Sequence, residues 1–67
     1  MVNAELLTEA IKGSGLKKAS IIEKMGISYS SLQRKISGQT EFKASEIGIL
    51  KEILGLDDAS TRVIFYH

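Results

Sequence analysis

The chain contains no cysteine, no proline and no tryptophan, only two Phe and two Tyr, and its single histidine is the last residue, His67. Without Cys there is no disulfide and no thiolate zinc site, so a reducing compartment costs the protein nothing. With its one His at the terminus, the chain assembles neither a Cys-His nor a Ser-His-Asp arrangement on a rigid scaffold, and no His or Cys cluster has metal-ligand spacing. It is therefore expected not to be an enzyme, and to need no metal, no cofactor and no small-molecule substrate. Apolar runs are only a few residues long, and Met1 is followed by Asn3 and Glu5 rather than by a basic and then an apolar stretch. Nothing reads as a membrane span or a secretion signal, and the expected location is cytoplasmic. The 67 residues are expected to form one domain, residues 1–67, without an effector domain beside it.

What is present is aliphatic and charged. The hydrophobic fraction is 43%, mostly Ile and Leu, so folding must rest on packed aliphatics. A formal net charge of +1 conceals an uneven distribution. Between Lys12 and Lys43 seven basic residues face two acidic ones, net +5, whereas the remainder has two basic against six acidic, net −4. Such asymmetry fits a cationic face turned toward a polyanion, or equally a solvated charged face without a partner.

Apolar spacing and punctuation predict an all-α bundle of four to five short helices. Asn3 is an N-cap, Val2 and Leu7 stand at hydrophobic-staple positions, and Leu6, Leu7, Ala10 and Ile11 form a stripe, giving a helix over 3–12 that Gly13 ends. Gly13-Ser14-Gly15 has only the composition of a phosphate loop, with no strand before it, and reads as a flexible connector. A second helix over 18–25 buries Ile21, Ile22 and Met25, and Gly26 supplies the turn. Ser28 caps a third over 28–37, with Ile27 and Leu32 as its staple and Leu32 and Ile36 inward. A polar loop follows in which Phe42 is the anchor. A fourth helix over 44–54 places Ile47, Leu50 and Leu54 on one side, and Gly48 within it suggests close packing. For residues 57–67, Asp57 is a cap for a fifth helix while Thr61, Val63, Ile64, Phe65 and Tyr66 have strand propensity; the helix is preferred. Phe65-Tyr66 is expected to close the core before serving as a dimer contact, and His67 to lie in solvent. The adjacent Asp57 and Asp58 read as an N-cap and a dipole partner.

Two short helices around a single glycine, residues 18–37, satisfy the plan of a helix-turn-helix. With Leu32 inward and 100° per residue, Ser30, Gln33, Arg34 and Ser37 point outward and Tyr29 sits at the edge. That face combines an amide, a guanidinium, hydroxyls and a phenol without a carboxylate, which are the groups that read base edges, Arg suiting guanine and Gln adenine.

The run Gly15-Leu16-Lys17-Lys18-Ala19-Ser20-Ile21-Ile22-Glu23-Lys24-Met25-Gly26-Ile27-Ser28 and then Ser31-Leu32-Gln33-Arg34-Lys35-Ile36-Ser37-Gly38 resembles the helix-turn-helix of the phage repressor and Cro class, also called XRE-type. The likeness extends from about Leu6 to Leu56, with Glu41-Phe42, Glu46-Ile47 and Leu54-Gly55-Leu56 in the expected order. It implies a lambda repressor-like bundle that binds a double-stranded DNA operator as a homodimer and regulates transcription in the manner of Cro, with the helix over 28–37 in the major groove. On that resemblance Tyr29, Ser30, Gln33 and Arg34 read bases, and Lys18, Ser31, Lys35, Gln39 and Lys43 lie near phosphates. The chain departs from the pattern at three places. Ile22 stands where the family keeps a small Ala, Lys17-Lys18 replaces a Thr-Gln pair and so loses a side-chain N-cap, and Tyr29 stands where Gln is frequent. The rival expectation is a helix-turn-helix module that binds a protein, as an antitoxin or anti-regulator. The acidic tail is the expected dimer contact.

Overall fold

The computed structural model describes residues 1–66, and the expectation for His67 lies outside them. Among these residues the chain forms five α-helices and no strand: α1 Ala4–Ser14, α2 Lys18–Met25, α3 Tyr29–Ile36, α4 Ala44–Leu54 and α5 Asp58–Phe65. The protein is an all-α helical bundle with a Cα radius of gyration of 10.5 Å.

Local chemistry explains most of the boundaries. Asn3 accepts the Leu6 amide at 3.1 Å, Ser28 accepts the Ser31 amide at 3.1 Å, and Asp57 accepts the Ser60 amide at 2.7 Å, each cap satisfying a donor that the first helical turn leaves open. Lys17 has no acceptor to offer, and α2 starts without a side-chain cap. α1 does not stop at Gly13. It runs to Ser14, and the chain reverses at Gly15, whose φ of 74° is left-handed; the expected connector is thus the last turn of a helix. There Ser14 Oγ donates to the Ile11 carbonyl at 2.6 Å and accepts the Leu16 amide at 3.1 Å.

The core takes its side chains from all five helices: Leu7 and Ile11, Ile21 and Met25, Leu32, Ile47 and Leu50, Ile64 and Phe65. α2 packs on α3 and α4, and α1 packs on α3, α4 and α5. Val2 and Ile27, the outer halves of the two staples, pack against this core. α5 is a helix despite its β-branched residues because burial of Ile64 and Phe65 on α1 and α4, together with the Asp57 cap, outweighs weak intrinsic propensity. The Asn3 amide donates to the Ile64 carbonyl at 2.7 Å and ties the start of the chain to its end. Phe65 is buried as expected and Tyr66 is exposed.

Gly48 corrects an expectation. A Cβ built there meets nothing within 4 Å, so this glycine accommodates no close neighbour within the protein. Gly26 is required by its backbone instead: with φ 71° it ends α2, and its amide and that of Ile27 both donate to the Ile22 carbonyl at 2.8 and 3.2 Å. An L side chain in that conformation would cost free energy, so the turn between α2 and α3 depends on glycine.

Candidate nucleic-acid interface

The face of α3 is built by one inward residue. Leu32 is fully buried, and the helical repeat turns Ser30, Gln33 and Arg34 away from the core, where all three are exposed. Tyr29 is exposed at its edge. Ser28 Oγ lies 3.4 Å from Ser30 Oγ while it holds the Ser31 amide, so the cap also steadies the first exposed hydroxyl of the face. The Arg34 guanidinium makes no hydrogen bond or ion pair among the described residues. Its carbonyl accepts the Gln39 amide at 2.9 Å and the Ser37 hydroxyl at 3.1 Å, which closes the helix beneath it.

Lys18, the first residue of α2, reaches across to this face. Its Nζ donates to Gln33 Oε1 at 3.1 Å and lies 6.0 Å from the centroid of the Tyr29 ring. Tyr29 and Gln33 are four residues apart on α3, so one ammonium bridges two neighbouring side chains of the helix surface. No acidic residue occurs between Glu23 and Glu41, so the whole of α3 and both of its flanking turns are free of carboxylates.

The flanking positions behave unequally. Gln39 and Lys43 are exposed, and Ser31 is half-buried. Lys35 departs from expectation: it is buried, and its Nζ lies 3.1 Å from Glu46 Oε1, donates to the Glu41 carbonyl at 3.1 Å and lies 6.0 Å from the Phe42 ring centroid. An ammonium so enclosed is not presented to a phosphate. The cause is geometric, since Lys35 follows Leu32 by three residues and projects on the same side of α3. Its partner Glu46 was not anticipated. A carboxylate in the first turn of the next helix, opposite a lysine on the buried side of α3, was the signal available.

Glu46 joins the two elements. Burial opposes its ionisation, but the Lys43 amide at 2.8 Å, the Lys35 ammonium and the Lys43 charge prevail, and its carboxyl titrates below the ordinary glutamate range. Phe42 anchors the intervening loop as expected, its ring edge-on to Phe65 at 5.3 Å with the planes at 80°. The α3–α4 connection is thus held by an ion pair at one side and an aromatic pair at the other.

Asp57 caps α5, and the Ser60 amide keeps its carboxyl below the usual range. Asp58 pairs with Lys51, which lowers its carboxyl in the same way. Among the described residues no group of three or more His, Cys, Asp or Glu side chains is placed to hold a metal ion, and no helix is long and apolar enough to cross a membrane. Compared with protein-family models, curated proteins and solved structures, the chain gives no significant match to any of the three.

Proposed function

We propose that this protein is a sequence-specific double-stranded DNA-binding transcriptional regulator whose α3 enters the major groove. The observation that carries the reading is the face of α3. It exposes Tyr29, Ser30, Gln33 and Arg34, it is joined by the Lys18 ammonium, and it lies in a stretch with no carboxylate. Such groups are donors and hydroxyls matched to base edges, and the absence of acidic side chains from α3 itself spares its entry into the groove from phosphate repulsion. Arg34, without a partner among the described residues, is the principal base reader; Lys18, Lys43 and Gln39 contribute to the flanking backbone contacts, and Ser31 supports them from a half-buried position. Lys35 acts through α4, by fixing how α3 stands. A homodimer on a two-fold symmetric operator would place its two α3 helices about 34 to 36 Å apart.

Fluorescence anisotropy of the whole chain against a mixed-sequence duplex, titrated over salt, tests this reading. Log affinity should fall linearly with log salt, with a slope that reflects several phosphate contacts. Failure to bind at low salt would overturn the proposal and leave the exposed face of α3 to a protein partner.

A further inference from the structure

We infer that Lys18 is a specificity-determining residue: by setting its ammonium beside the carbonyl of Gln33 it adds a cation to the recognition face and selects guanine where a free glutamine would favour adenine. The inference rests on the DNA-binding reading and adds the base class.

A glutamine side chain has one accepting and one donating end, and it suits adenine because adenine offers a donor at N6 beside an acceptor at N7. In this protein one lone pair of the accepting end is engaged. Lys18 Nζ donates to Gln33 Oε1 at 3.1 Å. A lysine ammonium has only donors, so the contact sets the orientation of the amide: the oxygen faces Lys18, and the nitrogen with its two hydrogens is left for another partner. That nitrogen has no acceptor among the described residues. Lys18 is itself held in place, half-buried at the start of α2 and lying 6.0 Å from the Tyr29 ring centroid.

The consequence concerns an incoming base. Adenine N6 would bring its amino group toward an oxygen whose remaining lone pair lies beside the Lys18 ammonium, so a donor approaches a cation. Guanine presents acceptors at both O6 and N7, which meet the ammonium and the amide nitrogen without conflict. Arg34, exposed one residue further along α3, is likewise a donor only. Lys18, Gln33 and Arg34 together therefore favour adjacent guanines in a half-site, and Lys18 acts by positioning Gln33 as well as by its charge.

Selection from a random duplex library with the whole chain, followed by sequencing of the retained duplexes, tests this. Gln33→Ala identifies the base position that Gln33 reads. At that position the unmodified chain should prefer guanine over adenine, Lys18→Met should reduce the preference by about tenfold or reverse it, and Lys18→Arg, which keeps a donor, should restore it. Lys18 lies at the helix start and outside the buried core, and circular dichroism confirms that each variant is folded. Adenine preferred by the unmodified chain, or a guanine preference unchanged in Lys18→Met, would overturn the inference while DNA binding stands. No sequence enriched by any variant, and no duplex retained at low salt, would overturn the DNA reading and the inference with it.

Discussion

Arg34 and Lys35 are neighbours in the sequence with opposite fates. Arg34 is exposed and Lys35 is buried against Glu46, each side chain of the pair exposing only 10% of its surface. Two substitutions should therefore separate. Arg34→Ala is expected to cost about 1 to 3 kcal/mol of DNA affinity and to relax preference at one base pair, with little change in folding stability. Lys35→Ala leaves Glu46 desolvated and without its cation, and is expected to cost about 1 to 3 kcal/mol in urea unfolding. The salt slope of DNA binding should stay unchanged in Lys35→Ala, whereas in Lys43→Ala it should fall by about one. Gly48 offers a gain at the same scale. It is exposed within α4 and a methyl group added there would have nothing within 4 Å, so Gly48→Ala should stabilise by about 1 kcal/mol and raise Tm by roughly 4 to 8 °C in calorimetry.

The α3–α4 connection carries a pH dependence. Glu46 is ionised more readily in the folded protein than in the unfolded chain, so its contribution is complete above the ordinary glutamate range and is lost as the pH falls through its lower, folded value. Unfolding free energy followed by urea titration should decline across that acidic window. Glu46→Gln should be less stable near neutrality and show a shallower acidic decline. Asp57 and Asp58 shift in the same direction but are fully exposed, so the acidic decline that remains in Glu46→Gln should come from them and the other carboxylates. α5 is equally bound to its surroundings. Because Ile64 and Phe65 belong to the core and the Ile64 carbonyl holds the Asn3 amide, truncation after Leu56 should abolish cooperative thermal unfolding, read by circular dichroism. The tail is thus part of the fold, and a test of any dimer contact there requires surface substitutions.

Across the whole molecule the charge pattern and the packing act together. The basic stretch from Lys12 to Lys43 includes both helices that form the proposed interface, while the acidic remainder supplies Glu46 to fix α3 and Asp57 and Asp58 to start α5. The pairing of Lys35 with Glu46 removes one charge from the net +5 that the sequence suggests for the interface. If α3 enters DNA as proposed, the salt slope of binding should be lower than a count of lysines would give.

Features set within one helical turn were legible in the sequence. The caps Asn3, Ser28 and Asp57, the turn at Gly26, the inward Leu32 and the outward Ser30, Gln33 and Arg34 all depend on neighbours up to four residues away, and spacing alone identifies them. Tertiary contacts decided the rest. Whether the last segment is helix or strand depended on burial of Ile64 and Phe65 against α1 and α4; whether Gly48 has a close neighbour, on what α4 faces; and whether Lys35 is a surface cation, on Glu46 eleven residues later. The Lys18–Gln33 bond spans fifteen positions and exists only because α2 and α3 are folded against each other. Periodicity states which side of a helix a residue occupies, but only the packed neighbour states whether its charge is solvated, paired or aimed at a partner.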